Sequence, residues 1–384
     1  MESRNGDGGA AALGCPGPAE GGWPTRSNQD ARSLAEGKLL VLGRPGAAPE
    51  EHRRWRRRAG MIVSGASWVY LVVVLGLWVF LTMAGDRWWL ATVVLFGPRW
   101  IYAVPLVVLI PAAWSCRPRL LGLVLIAAIV VVGPVMGFRV PWPAPAEASA
   151  AAGAFSLRVL TCNTGGKSLR AGALAELIAA TRPDLVAVQE GSVRSLPATT
   201  WPDGWQLQTT VASRYPIRKV EKLGPNTFGG YGFITRFDLE TPGGLVHFFN
   251  LHLETVRHGL EPMLFHKRRP WTAAPELTAN LAVRARESAA ASAWVRQVSG
   301  PVLIAGDFNM PTDSAIYQQC WSPYTNAFSS AGLGFGYTKF TRWHGIRIDH
   351  VLAGPGWRCR RAWVGPDVGS DHRPVLADLT WVSY

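Results

Sequence analysis

An uncharged run of 23 residues, Met61 to Met83, lies near the start of this chain of 384 residues. As an α-helix it would be about 35 Å long, because each residue adds about 1.5 Å. That length crosses the roughly 30 Å hydrocarbon core of a bilayer. Five arginines, in the sequence EHRRWRRR, directly precede the run. The run is therefore predicted to be a transmembrane helix with its arginine-rich end in the cytoplasm.

Two more apolar runs follow, roughly Trp88 to Ser115 and Leu120 to Phe138, and they suggest two further crossings. The first of them is interrupted by GPRW, and the two are separated by CRPR. The arginines of CRPR indicate a second cytoplasmic end, whereas the loop at Gly85 to Arg87 carries only one arginine and one aspartate. We therefore expect a multi-pass anchor with the N-terminus inside and the long C-terminal part on the extracytoplasmic side.

Composition divides the chain into four parts. Residues 1–58 are rich in Gly, Ala, Pro and Arg and are predicted to be a disordered basic cytoplasmic tail. Residues 59–139 form the anchor, 140–154 a Pro/Ala linker, and 155–384 a single external domain. This domain has 24 Lys and Arg against 17 Asp and Glu, a net charge of +7. The charge favours anionic partners such as nucleic acid, phosphorylated small molecules or lipid headgroups, although it also fits a domain kept soluble near a membrane.

Buried-strand patterns in the external domain end repeatedly on side chains that can bind a metal, a phosphate or a proton. After VLIAG come Asp307 and Asn309, which a strand of period two would place on the same side. The other such residues are Asn163 after LRVLTC, Glu190 after LVAVQ, Asn250 and His252 in HFFNLH, Asp349 in IRID, and Asp371 with His372 before the last predicted strand. Each one alone is explained as a turn former or a solvated strand end. Together they indicate a site at the rim of a rigid scaffold.

The pieces TCN, AVQE, ASRYPI, NLHLET, IAGDFN, RIDHVL and GSDHRPV, in this order, resemble the sequence landmarks of the endonuclease/exonuclease/phosphatase superfamily, the fold of pancreatic deoxyribonuclease. The resemblance covers about Phe155 to Ser383. It implies a four-layer α/β sandwich, two mixed β-sheets face to face with helices outside, which agrees with the strand-rich pattern. It also implies hydrolysis of phosphodiester or phosphomonoester bonds with Mg²⁺ or Mn²⁺.

Transferred onto this sequence, the resemblance implies a role for each candidate. Glu190 would be the principal metal ligand, helped by Asn163, and Asp371 would serve a metal or the phosphate region. Asp307 and Asn309 would orient the attacking water and the phosphate. His372 would be the catalytic histidine, hydrogen-bonded to Asp349, with His252 as a second histidine facing the phosphate.

Three interpretations of function remain open from the sequence. A nuclease and a lipid or small-molecule phosphodiesterase fit the charge equally well. A non-catalytic module that binds anionic ligands on the same fold is the third, and the completeness of the candidate site argues against it. The basic segment with His266, Lys267, Arg268 and Arg269 could contact an anionic substrate or the membrane, or could be a solvated loop.

Overall fold

The computed structural model describes residues 48–141, 154–166, 169–224, 230–265, 272 and 274–382. Most of the predicted tail, the centre of the Pro/Ala linker and residues 266–271 of the basic segment 257–271 therefore lie outside the described residues. The chain divides into two compact units, Met1–Arg56 and Arg57–Tyr384. The second unit holds the whole of the predicted anchor and of the predicted external domain.

The N-terminal part of the described chain is helical. Its helices are α1 (Ala48–Ala84), α2 (Trp89–Phe96), α3 (Val104–Cys116) and α4 (Leu121–Val130), with 3₁₀ turns at Arg99–Ala103 and Pro118–Leu120 and a π turn at Val131–Val135. Helix α1 begins at Ala48, so the end of the segment predicted to be a tail is helical.

In the part of the chain that the structure describes, three helical stretches are long and apolar enough to cross a membrane: Glu50–Ala84, Arg99–Cys116 and Pro118–Val135. Their number agrees with the prediction, but the second stretch differs from it. The apolar run from Trp88 to Ser115 was expected to be one crossing, whereas it is split into α2 and a separate stretch that begins at Arg99. The physical reason is Pro98, which has no N–H to donate and favours an extended conformation at Gly97 before it.

Two six-stranded mixed sheets form the C-terminal part. The strands are β1 (Ser156–Asn163), β2 (Leu185–Gln189), β3 (Gln206–Leu207), β4 (Val211–Ser213), β5 (Ile217–Leu223), β6 (Phe233–Thr241), β7 (Gly244–His252), β8 (Val302–Asp307), β9 (Thr325–Asn326), β10 (Lys339–Phe340), β11 (Gly345–Ile346), β12 (Asp349–Ala353), β13 (Trp357–Val364) and β14 (Val375–Trp381). The first sheet has the order β13-β14-β1-β2-β4-β3 and the second the order β5-β6-β7-β8-β12-β9, while β10 and β11 form a separate hairpin. Pairs β1/β2 and β7/β8 are parallel, and the other pairs are antiparallel.

The core lies between the two sheets. Val159 of β1 and Leu185 of β2 belong to the same buried cluster as Phe248 of β7 and Leu303 of β8. The alternate residues of these strands face helices on the outside, as period-two geometry requires. The outer helices are α5 (Ala173–Thr181) on the first sheet and α7 (Ala274–Arg296) and α8 (Ala315–Trp321) on the second. Helix α6 (Arg257–Phe265) packs on α7, and α9 (Ala327–Ala331) contributes Ala327 and Phe328 to the inner cluster. The predicted four-layer sandwich is confirmed.

Local assignments were less accurate than the fold. Strand β5 and helix α6 were not predicted from the sequence, and α6 opens the segment that had been interpreted by its charge alone. Asp349 was expected to close a strand, but it opens β12. It still reaches the rim because β12 runs antiparallel to β8, which pairs Asp349 with Asp307.

Candidate active site

The site is built where β7, β8 and β12 lie side by side. The strand register places His252 beside Asp307 on one side and Asp349 beside Asp307 on the other. Asp307 and Asp349 are almost completely buried, so their charges are not dispersed by water. Asp307 is the central residue, and the other candidates are arranged around its carboxylate.

Asn163 connects the two sheets across the rim. Its Nδ2 donates to Glu190 Oε1 at 3.0 Å and to Asp307 Oδ2 at 2.9 Å. The Asn163 side-chain oxygen accepts from the Gly165 N–H at 2.9 Å. Glu190 follows β2 in a left-handed conformation, φ 55°, and its side chain is 38% exposed. The arrangement holds one exposed and one buried carboxylate close to a shared amide group.

His372 and Asp349 form the expected pair. His372 Nδ1 lies 2.9 Å from Asp349 Oδ2, and Nε2 of the same ring lies 3.8 Å from Asp307 Oδ2. The second oxygen of Asp349, Oδ1, is buried without a hydrogen-bond partner among the described residues. The main-chain N–H of His372 donates to Ser370 Oγ at 3.1 Å, and Ser370 Oγ donates in turn to the main-chain carbonyl of Asn163 at 2.8 Å. These two hydrogen bonds hold the segment of His372 against the end of β1.

The carboxylates of this cluster stabilise the protonated form of His372. Burial by itself would lower the pKa of His372, but the carboxylates of Asp349 and Asp307 outweigh it and raise the pKa to about 9. Burial raises the pKa of Asp307, and the charge of Asp349 adds to this effect. At neutral pH His372 is therefore a cation whose Nδ1–H is donated to Asp349 and whose Nε2–H is directed towards Asp307.

His252 and Asn309 lie on the other side of Asp307. His252 Nε2 is 3.6 Å from Glu190 Oε1 and 3.8 Å from Asp307 Oδ2. The Asn309 N–H donates to Asp307 Oδ1 at 2.8 Å, and its side-chain Nδ2 donates to the Leu253 carbonyl at 2.8 Å. Asn309 takes a left-handed conformation, φ 52°, which turns the chain back at the end of β8. This turn explains why an asparagine, which tolerates a left-handed conformation, stands two residues after the buried Asp307.

Two predicted polar residues differ from the buried cluster. Asp371 forms an ion pair with Lys339, and burial, which would raise the Asp371 pKa, is outweighed by this lysine so that the pKa is lowered. Asn250 is fully buried and accepts from Gln189 Nε2 at 2.7 Å, so it joins the two sheets rather than lining the site. Among the described residues, Asp307, Asp349 and His372 form the group of three possible metal ligands whose ligand atoms all lie within 4.8 Å of one another.

Comparison with known families agrees with this geometry. Residues 160–372 match the model described as Endonuclease/Exonuclease/phosphatase family, which is more than half of the chain. The chain belongs to the endonuclease/exonuclease/phosphatase family. This family hydrolyses phosphoric ester bonds, and the chain is an enzyme of that class.

Solved structures of this fold include several to which the chain is similar. An endonuclease/exonuclease/phosphatase family protein from Bacteroides thetaiotaomicron is 15% identical, covering 60% of this chain and 99% of that one, with a TM-score of 0.44. Truncated Caenorhabditis elegans TDP2 is 19% identical over 59% of this chain and 98% of that one, with a TM-score of 0.43. The 3′ phosphatase NExo from Neisseria, bound to a product DNA hairpin, is 17% identical over 59% and 100%, with a TM-score of 0.43. No curated protein matches the sequence.

A cleft of about 520 Å³ opens above the family site. Site residues lining it are Glu190, His252, Asp307, Asn309, Lys339 and His372. The facing wall includes Phe96 of α2, with Val256 and Leu260 beside it. The Phe96 carbonyl accepts a hydrogen bond from His344 Nε2 at 2.8 Å. Phe96 lies outside the residues that match the family, so the predicted anchor adds part of the wall of this cleft.

Sequence reasoning missed both Lys339 and Phe96. Lys339 lies in the sequence GFGYTKF, to which the sequence alone assigned no role. The interruption GPRW directly after Phe96 was the available signal for the second residue, because it ends α2 before the next apolar stretch begins.

Proposed function

We propose that the chain is a membrane-anchored, metal-dependent phosphoesterase that hydrolyses phosphodiester or phosphomonoester bonds outside the cytoplasm. The observation that carries the proposal is the His372–Asp349 pair directed at Asp307, at the base of a cleft onto which Glu190 opens. Glu190 and Asp307, two strand-end carboxylates, are held within reach of one amide group.

The donor atoms fit a hard divalent cation such as Mg²⁺ or Mn²⁺. Such ions take oxygen ligands and keep several waters, so one or two protein carboxylates suffice. Glu190 would be the main ligand because its carboxylate is partly exposed to the cleft, with Asn163 beside it. Asp371 would contribute from the phosphate side, since it is paired with Lys339. The cation, when bound, would neutralise charge on the phosphate and favour ionisation of the attacking water.

The protein's own groups account for the movement of protons. Asp307 accepts the Asn309 N–H and is positioned to accept a hydrogen bond from the attacking water. His372, held in one orientation by Asp349, would donate its Nε2–H to a phosphate oxygen or to the leaving group. His252 lies close to both carboxylates and would add a further donor for the phosphate. Each role needs a group whose position is fixed before the substrate arrives.

The test of this function uses the full-length protein in detergent with bis(p-nitrophenyl) phosphate and Mg²⁺ or Mn²⁺. We expect hydrolysis that is abolished by a chelator and restored by the metal. His372→Ala should lower the rate by about 10² to 10⁴, the usual contribution of a general acid or base. Asp203→Asn, a change at an exposed loop, is the control and should keep the wild-type rate. Hydrolysis that persists in the chelator would contradict the metal dependence.

The proposed topology rests on the arginines before α1 and between α3 and α4. A reporter that is active only outside the cytoplasm, fused after Tyr384, should give a signal. A silent fusion, together with a strong signal from a cytoplasmic reporter at the same position, would reverse the topology.

A further inference from the structure

A buried ion pair joins the anchor to the catalytic cleft. Arg284 Nη2 of α7 donates to Asp86 Oδ2 at 2.9 Å, and both side chains are fully buried. Arg284 Nη1 also donates to the carbonyls of Glu254 at 2.9 Å and Asn309 at 3.0 Å, and both of these residues line the cleft. Asp86 lies in the turn between α1 and α2. The turn that follows the first candidate span is thus bonded to the wall of the active site.

The other two candidate spans are attached on the same side. Arg99, the first residue of the second span, bonds to Asp313 Oδ2 at 2.6 Å. Arg139, just after the third span, exchanges main-chain hydrogen bonds of 2.8 and 2.9 Å with Gly334. The external end of every described span is therefore bonded to the catalytic domain. The height of the cleft above the membrane is set by these contacts and not by the length of the Pro/Ala linker.

Phe96 places the wall of the cleft close to the bilayer. It lies three positions before Arg99, where the second span begins, and three residues reach at most about 11 Å when fully extended. The cleft wall is therefore within about 11 Å of the end of a membrane helix. Headgroups add about 10 to 15 Å in total to the hydrocarbon core, or about 5 to 8 Å on each side, so a wall at this distance would lie within or just above the headgroup layer.

Two exposed tryptophans mark the same level. Trp100 Nε1, at the start of the second span, donates to the Trp343 carbonyl at 3.3 Å. The Trp343 side chain is 71% exposed, and the next residue, His344, lines the cleft. Tryptophan is enriched where a membrane meets water because its ring is apolar and its N–H is polar. The two tryptophans therefore fit a position of the cleft rim at the level of the lipid headgroups.

The lining of the cleft suits one phosphate beside an apolar group. Among the described residues that line it, the acidic ones are Glu190, Glu254, Glu261 and Asp307, and the basic ones are Arg257, Lys339 and the histidines His252, His258, His344 and His372. The apolar lining residues are Phe96, Leu253, Val256, Leu260, Ile346 and Ile348. A nucleic acid is bound largely through several phosphates that meet lysine and arginine. Arg257 and Lys339 are the two side chains of that kind among the described residues of the lining, and Glu254 and Glu261 lie beside them, so the lining offers few contacts to a polyanion.

We propose that the substrate is a phosphoester of a lipid in the membrane that holds the enzyme. The phosphate is received by His372 and the metal side of Glu190, and the apolar part next to it packs against Phe96 and Val256. This inference rests on the proposed phosphoesterase function and assigns its substrate class.

The test uses the full-length protein reconstituted into vesicles of equal parts phosphatidylglycerol, phosphatidylcholine and phosphatidylinositol, with Mg²⁺. Release of a headgroup or phosphate from lipid is followed by mass spectrometry, in parallel with bis(p-nitrophenyl) phosphate and a single-stranded oligonucleotide. We expect at least one lipid to be hydrolysed at least about tenfold faster than the oligonucleotide. Hydrolysis of the soluble diester with none of the lipids cleaved, or with the oligonucleotide preferred, would overturn this inference and leave the proposed function standing. Failure on every substrate would overturn the proposed function itself.

Two variants separate the membrane contact from the chemistry. Phe96→Ala and Trp343→Ser should each lower the rate on lipid relative to the rate on the soluble diester by about three- to tenfold, since tenfold corresponds to about 1.4 kcal/mol. Trp343 is exposed, so its variant is expected to fold even if loss of Phe96 destabilises the contact of its ring with Arg284. The matched control is Leu245→Ala, an exposed apolar residue at the start of β7. An unchanged ratio in both variants would also overturn the inference.

Discussion

Removing the carboxylate of Asp86 should destabilise the catalytic domain although the residue lies in the predicted anchor. In Asp86→Ala the Arg284 guanidinium remains buried without its counter-ion, and Ser314 Oγ loses its 2.6 Å hydrogen bond to the same carboxylate. Breaking a buried pair by removing one partner costs about 3 to 5 kcal/mol. Asp86 Oδ1 and Arg284 Nε already lack hydrogen-bond partners among the described residues, which favours the lower end of this range.

A loss of about 3 kcal/mol corresponds to a fall in Tm of roughly 6 to 12 °C for a domain of 150 to 250 residues. Thermal unfolding in detergent, followed by tryptophan fluorescence, measures it. Adding Arg284→Met to Asp86→Ala removes the unpaired charge and should recover part of the loss, because an apolar replacement of a whole buried pair is often neutral. Asp203→Ala is the exposed control. A fall in Tm no larger than that of the control would refute the argument that Arg284 depends on Asp86.

Three further predictions concern the site and its surroundings. Glu190→Gln should shift the Mg²⁺ activation curve to higher concentration or abolish activity, while the Tm measured without metal stays unchanged. Glu240→Gln, an exposed surface change, should leave the activation curve in place. An unchanged curve for Glu190→Gln would remove this residue from the metal site. Asp349→Asn and His372→Ala should be non-additive, the double variant being scarcely slower than His372→Ala, because the two residues act as one unit; independent losses that multiply would contradict the pairing. Burial, assisted by Arg347, lowers the pKa of His350 to about 3, so below about pH 6.5 the unfolded chain binds more protons than the folded protein. The free energy of unfolding should therefore fall by up to about 1.4 kcal/mol per pH unit as the pH is lowered from about 6.5 towards 3. Urea unfolding of wild type and His350→Gln at several pH values measures this, and equal slopes of the unfolding free energy against pH would show that His350 is not responsible.

The sequence predicted the fold and most members of the candidate site because these follow from local patterns. Apolar runs of strand length ending on Asn163, Glu190 and Asp307 are visible residue by residue, and parallel strands bring such ends to one edge. The prediction that Asp349 closes a strand was wrong. Apolar residues lie on both sides of it in GIRIDHVLA, and they fit a strand that begins at Asp349 as well as one that ends there. Asn250 has the same chemistry as the site residues, and only its tertiary position directs it into the core.

Contacts between distant parts of the chain left no such pattern. Asp86 and Arg284 are separated by 198 positions, and each looks ordinary in its own segment: an aspartate in a short polar loop and an arginine on a helix rich in charged residues. Phe96 ended an apolar run that was long enough to be explained by the membrane alone. The hydrophobic signal of a bilayer-spanning helix and that of a helix packed against a protein are the same, so the sequence could not separate α2 from the crossing that follows it.

Because Phe96 forms part of the cleft wall, the part of the chain that completes the cleft extends beyond the residues that match the family. A fragment cut at the Pro/Ala linker would keep every residue that identifies the family and would still lack one side of its cleft and the counter-ion of a buried arginine. Exchange of the anchor for another membrane helix would remove the same two elements. The residues predicted to be an anchor thus complete the cleft, and a version cut at the Pro/Ala linker would need a redesigned surface where α2 now packs.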